Sequence, residues 1–267
     1  MADEITEIVS KIVGVPELLK EVYGDLAKPG VSQVGKALSA VLGLGNTVLY
    51  PLHLINEKTR ITLESNLQKY REKLKNIPDE KIIPVPPEIG VPIAEKLVYV
   101  SNEELSEMYL NLLANASHSD KASIAHPGFS KIIENLSPDE GKFLQTLNVV
   151  RGVPFIEIRL KNSDGTWHML TDFVVSENIT SKLTFKSNFQ VYMSNLDSLG
   201  IIKIRRDIWM VPLEVDYTPI WESVKPSYSA LEESLIGTNQ TLGYEKARAD
   251  LTPYGELFIA ACFTKPA

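Results

Sequence analysis

The sequence predicts a mostly helical α+β protein: a helical N-terminal region, then a winged-helix-like C-terminal domain. Three observations predict it. Apolar residues recur at helical spacing through the first half. Ser-x-x-Glu/Gln capping boxes open helices at Ser101, Ser137 and Ser187. Strand-like alternation is confined to the second half, where a helix, Leu-Gly-Ile-Ile and a basic stretch follow one another. The 267 residues are 44% apolar and 23% charged, which supplies a core and excludes wholesale disorder. A formal net charge of −7 excludes a molecule that binds nucleic acid over its whole surface, but leaves room for a local basic patch.

The first helix carries Ile5, Ile8, Val9 and Ile12 on one face, and Gly14 and Pro16 interrupt it. A second carries Leu18, Leu19, Val22, Tyr23 and Leu26 and stops at Pro29-Gly30. Ala37–Asn56 then contains no Asp, Glu, Lys or Arg. Its Gly-Leu-Gly-Asn centre reads as a turn between two apolar segments. The ordinary reading is a buried helical hairpin. The sharper one is a membrane-touching hairpin presenting Leu38, Val41, Leu42, Leu44, Val48, Leu49, Leu52, Leu54 and Ile55.

A long helix follows over Pro51–Asn76, with Leu63, Leu67, Tyr70 and Leu74 as a seam that could pack internally or across a dimer. Its Arg60, Lys69, Arg71, Lys73 and Lys75 alternate with Glu57, Glu64 and Glu72 and read as a solvated face. Ile77–Pro92 holds five prolines, which argue against a regular helix and for extended chain lying on the body. Ser101–Ser117 is a helix with Leu105, Met108, Tyr109, Leu112, Leu113 and Ala116 as a core stripe. His118, Asp120 and His126 match no metal spacing, so no metal is assigned.

In the second half, Ser137 and Glu140 cap a helix carrying Phe143, Leu144, Leu147 and Val150, which Gly152-Val153-Pro154 ends. Phe155–Leu160 and Trp167–Val175 form a hairpin around Asn162–Gly165. Ser187 opens a helix with Phe189, Tyr192, Met193, Leu196 and Leu199, closed by Gly200. Ile201–Arg205 and Ile208–Val211 read as two strands of a wing, and Leu251-Thr252-Pro253-Tyr254-Gly255 as the lead-in to a closing helix. The divisions fall at 1–78, 79–135 and 136–267.

A recognition helix would offer Lys186, Asn188, Gln190 and Asn195 to base edges, and a wing Lys203, Arg205 and Arg206 to phosphates, with Lys182 a further candidate contact to nucleic acid. Winged helices also bind proteins, so both partner classes stay open. No phosphate loop, nucleophile elbow, zinc motif or cysteine pair is present. The expectation is therefore a non-enzyme with no catalytic, cofactor or metal residues. Cys262, alone of its kind, reads as packing in a C-terminal helix with Phe258, Ile259 and Phe263. The acidic Met1–Glu7 lacks a secretory pattern, and a cytoplasmic protein is expected.

Several runs resemble the bacterial abortive infection alpha (Abi-alpha) family, a domain of unknown function linked to bacteriophage defence. They are VYGDLAKPGVSQVGKALSAVLGLGNTVLYPL, NEKTRITLESNLQKYREKL, VPPEIGVPIAEKL, NEELSEMYLNLLANAS, AHPGFSKIIENLSPDE, NLDSLGIIKI and LTPYGELFIAAC. The resemblance implies antiviral abortive infection, in which an infected cell stops growing or dies. It implies a non-enzymatic effector or sensor that meets an unknown protein or phage-derived trigger. The apolar segment would act at the inner membrane when activated. The alternative is a winged-helix nucleic-acid-binding regulator or a protein-contact adaptor. No catalytic residues travel with the resemblance.

Overall fold

The computed structural model describes residues 57–206 and 216–264. The first two expected helices, the uncharged Ala37–Asn56 run and the expected wing strand Ile208–Val211 all lie outside the described residues. The chain divides into two compact units. One runs to Leu136 and takes in the chain from Leu257 onward; the other is Ser137–Glu256.

The first unit contains helices α1 (Glu57–Leu74), α2 (Pro87–Leu97), α3 (Glu103–Ala116) and α4 (Gly128–Glu134). Leu63, Leu67, Tyr70 and Leu74 of α1 are all buried, and α1 packs on α3. The seam is therefore internal. Lys73 departs from the solvated face expected of it. It is buried, and its Nζ donates to Glu107 Oε2 at 2.7 Å and to Asn111 Oδ1 at 2.9 Å. The two acceptors supply hydrogen bonds that the buried ammonium would otherwise make to water.

The proline-rich stretch also needs correction. It opens with a 3₁₀ turn over Asp79–Lys81 and is extended only over residues 82–86, where Ile83 N–H donates to the Ser117 carbonyl and Ile82 bridges His118. A helix then begins inside it. Pro86 and Pro87 take the cap and first-turn positions, where no N–H is required. Pro92 removes one bond from the helix interior. Burial of Ile89, Ile93 and Leu97 on one face compensates for that loss.

Helix α3 is capped by Asn102, whose side chain accepts from Leu105 N–H, and not by Ser101. It is buried on nearly every side, so its polar residues must find partners inside. Ser106 donates to Asn66, and the Ser117 and Tyr70 hydroxyls share a bond of 2.6 Å. Asn111 and Asn115 donate to the Cys262, Ala261 and Thr264 carbonyls. Those acceptors belong to the last turn of the C-terminal helix α10 (Pro253–Phe263) and the residue after it, where carbonyls have no partner within the helix.

In the second unit a four-stranded antiparallel sheet has the order β2-β1-β4-β3. Its strands are β1 (Gly152–Asn162), β2 (Trp167–Val174), β3 (Ile202–Arg205) and β4 (Gln240–Leu251). Helices α5 (Pro138–Val150) and α7 (Phe189–Ser198) pack on one face, with Phe143 and Phe189 edge to face. On the other face α8 (Thr218–Val224) brings Ile220, behind Tyr217, onto Ile156. Two short helices, α6 (Glu177–Thr180) and α9 (Ser229–Ser234), complete the unit.

The Ser137/Glu140 capping box forms as expected, with bonds in both directions. The residue that ends α5 is Arg151, which takes the left-handed conformation (φ 61°), and Gly152 already opens β1. Pro154 is tolerated within β1 because it faces Arg248 of β4, whereas pairing with β2 begins only at Ile156. Ser187 caps nothing. A 3₁₀ turn over Lys186–Asn188 precedes α7, and Gln190 donates to the Asp172 carbonyl instead. Gly200 closes α7 with φ 72°, as Ile201 N–H reaches the Leu196 carbonyl and Gly200 N–H that of Asp197. β3 finds its partner in the distant β4, with Ile202 opposite Leu251 and Arg205 opposite Arg248.

The Leu-Thr-Pro-Tyr-Gly run has a structural cause. Leu251 ends the pairing with β3. Thr252 Oγ1 donates to the Gly200 carbonyl and accepts from Gly255 N–H, so it ties α7's end to α10's start. Pro253 occupies the first turn of α10. A Cβ on Gly255 would overlap the Ile201 carbonyl. Gly255→Ala should therefore destabilise the fold by about 3 kcal/mol or more, read as a shift in urea midpoint. An unchanged midpoint would contradict this packing.

Candidate functional site

The site is built around a buried acid. Asp139 lies in the first turn of α5 and is 3% exposed. Its carboxylate accepts from Thr184 N–H (3.0 Å), Phe185 N–H (2.7 Å), Lys142 Nζ (3.1 Å) and the Tyr192 hydroxyl (3.3 Å). Burial opposes its charge. The backbone N–H groups of Thr184 and Phe185, then Lys142, outweigh that opposition and hold the carboxyl well below the usual range. Beside it, Glu140 Oε1 accepts from Asn195 of α7 at 2.7 Å. Two acids at one helix end thus bind the 181–188 loop and α7, and the N-terminal dipole favours both charges.

These bonds hold an exposed surface. Phe185 is 62% exposed and Val191 65%, and Lys182, Lys186, Asn188 and Gln190 of the same 182–191 stretch are exposed as well. Lys186 pairs with Glu177 at 3.4 Å. Asn188 stands before α7 without capping it by a side-chain bond. Sequence reasoning singled out the four polar residues but not the apolar pair. Helical spacing places Val191 beside Ser187 and Ser194, a clue to its exposure. Phe185 lies in a loop with no periodic signal.

The three expected wing residues separate. Lys203 and Arg205 are exposed on one face of β3. Arg206 is committed elsewhere. Its Nε donates to Glu157 at 2.5 Å, its second nitrogen to Asp172 at 2.8 Å, and it lies over the Phe173 ring. Glu157 is 1% exposed and also binds Arg159, which stacks 3.7 Å over Trp167. Arg206 thus neutralises a buried carboxylate, a task that competes with phosphate contact. Phe173, within this cluster, adopts φ 50°, a left-handed conformation that is strained for an aromatic residue.

The remaining singled-out groups have local partners. His118 Nδ1 accepts from Asp120 N–H and His126 Nδ1 from Gly128 N–H. Burial pushes the Cys262 thiol well up. Among the described residues no group of three or more His, Cys, Asp or Glu could hold a metal ion.

Asp139→Asn puts an amide against two backbone donors. It should cost about 3 kcal/mol at neutral pH while the fold forms. The native carboxyl is depressed, so its contribution is full above about pH 4 and is lost as pH falls further. Urea titrations of both proteins at neutral pH and below pH 4 check this. The Asn variant should lack that part of the acid loss, and equal acid sensitivity would contradict the assignment.

A model of the abortive infection alpha family matches residues 62–262. The match begins in α1 and ends in α10, so the uncharged Ala37–Asn56 run and the first of the resembling stretches precede it. No curated protein and no solved structure matches the chain. The runs picked out in α3 and α5, the Leu-Gly-Ile-Ile stretch and the Leu-Thr-Pro-Tyr-Gly turn fall inside the matched region, as does the α1 run from Thr62 onward. The chain belongs to the abortive infection alpha family.

Proposed function

We propose that the chain serves antiviral defence as a non-enzymatic sensor and effector. The surface of Phe185, Val191, Lys182 and Lys186 meets a protein trigger of phage origin, and Ala37–Asn56 delivers the response at a membrane. Family membership supports the abortive-infection role. The observation that carries the sensor half is the exposure of Phe185, on backbone braced by buried Asp139, together with that of Val191 on α7. A large ring held rigid in solvent is costly to the free protein and suits an interface core. The buried acids Asp139, Glu140 and Glu157 are all bound to donors within the fold, consistent with a protein that binds and does not catalyse.

The effector half rests on sequence, since Ala37–Asn56 carries no charge. Among the described residues no helix is long and apolar enough to cross a membrane. A trigger must bind the open state better than the closed one for that segment to be released.

The nucleic-acid regulator is the second reading. The order β1-β4-β3, with α7 immediately before β3, is the arrangement that a winged-helix-like domain needs.

Phage challenge of cells producing the protein tests the main reading. Phe185→Asp with Val191→Asp should leave the melting temperature near that of the wild type and abolish infection-linked growth arrest. Leu42→Asp or Val48→Lys should abolish the arrest while trigger binding persists. Full protection by the folded surface variant would move the trigger site elsewhere. Full protection by the folded segment variants would remove the membrane step.

A further inference from the structure

We infer that the outer face of β3 and β4 is a binding strip for the phosphate backbone of duplex nucleic acid, formed by Lys203, Arg205, Lys246 and Arg248. The register places Arg205 opposite Arg248 and Lys203 opposite Asp250. Side chains alternate along a strand, so residues 203 and 205 of β3 and 246, 248 and 250 of β4 share one face. The spacing is about 4.8 Å between strands and about 6.7 Å along each. Lys246 lies over the ring of Tyr217, which packs on this same face against Ile156. Two of the four cations were not apparent in the sequence, because β4 lies some forty residues from β3.

Like charges directly opposite one another destabilise a sheet. Arg205 and Arg248 stand so, and Asp250 answers only in part by binding the Arg248 guanidinium at 2.5–2.7 Å. Asp216 adds a second negative charge near Lys246. The strip remains positive on a chain whose net charge is −7. A phosphate would relieve the opposed arginines, and a guanidinium fork matches its oxygens.

The strip favours nucleic acid over an anionic membrane. Among the described residues none of the large exposed apolar ones, such as Trp167, Phe185, Val191 and Ile236, belongs to the outer face of β3 and β4, where the cations stand. It is also separate from the loop around Phe185, so the inference stands or falls apart from the trigger surface.

Fluorescence anisotropy of a short labelled DNA duplex with the full chain tests it. Four phosphate contacts predict roughly 100-fold weaker binding at about 200 mM salt than at about 50 mM. Lys203→Glu with Arg205→Glu should abolish binding at the lower salt. Lys203→Gln with Arg205→Gln, which spares the edge strand charge reversal, should weaken it and lower the salt slope by about 2. Phe185→Asp with Val191→Asp, and Lys182→Glu with Lys186→Glu, should bind as the wild type does. Absence of duplex binding, binding unaffected by the folded Gln pair, or binding to phosphatidylserine vesicles in place of duplex would each overturn it.

Discussion

The sheet-bearing unit is organised around one carboxylate. Asp139 is almost fully buried, and a buried charge is tolerated only when its lone pairs are filled. Four donors fill them, two from the backbone of Thr184 and Phe185 and two from the side chains of Lys142 and Tyr192. The two backbone N–H groups have that carboxylate as their acceptor. Removing the charge therefore does more than break an ion pair, since it strands the donors of an otherwise irregular loop. The position of the Thr184 and Phe185 backbone, just ahead of the 3₁₀ turn and α7, follows from this acid.

The second charge cluster shows how strand parity sorts cations. Lys203 and Arg205 share the outer face of β3, while Arg206, one residue on, reaches Glu157 and Asp172. A run of basic residues thus supplies both a surface and an internal counter-charge. Glu157 receives Arg159 as well, and Arg159 is flattened against Trp167. The strained backbone of Phe173 lies where Arg206 crosses its ring and beside the Asp172 carbonyl that Gln190 binds. Local strain of this type persists only where surrounding contacts impose it.

Much of the helical framework was legible because helix signals are local. The α1 seam, the α3 stripe and the Ser137/Glu140 box depend on residues three or four apart, and each is realised, with Leu105 of the stripe only half-buried. Helix α2 was missed because five prolines outweighed a burial pattern that only the folded chain reveals. The cap of α3 shifted by one residue because Asn102 competes with Ser101 for the same role. The partner of β3 was hidden because antiparallel pairing leaves no mark across so long an insertion. Four of the candidate contact residues were legible as exposed polar groups. The Asp139 brace was not, since its bonds span about 45 positions in sequence.

The central claim is that Asp139 fixes the backbone beneath the exposed Phe185. Hydrogen exchange at the Thr184 and Phe185 amides measures this directly in the wild-type protein. The account predicts that both exchange only with unfolding of the whole unit, despite lying in a surface loop. Exchange at the rate of an open, solvated loop would show that the carboxylate does not hold them, and the braced surface would fall with it.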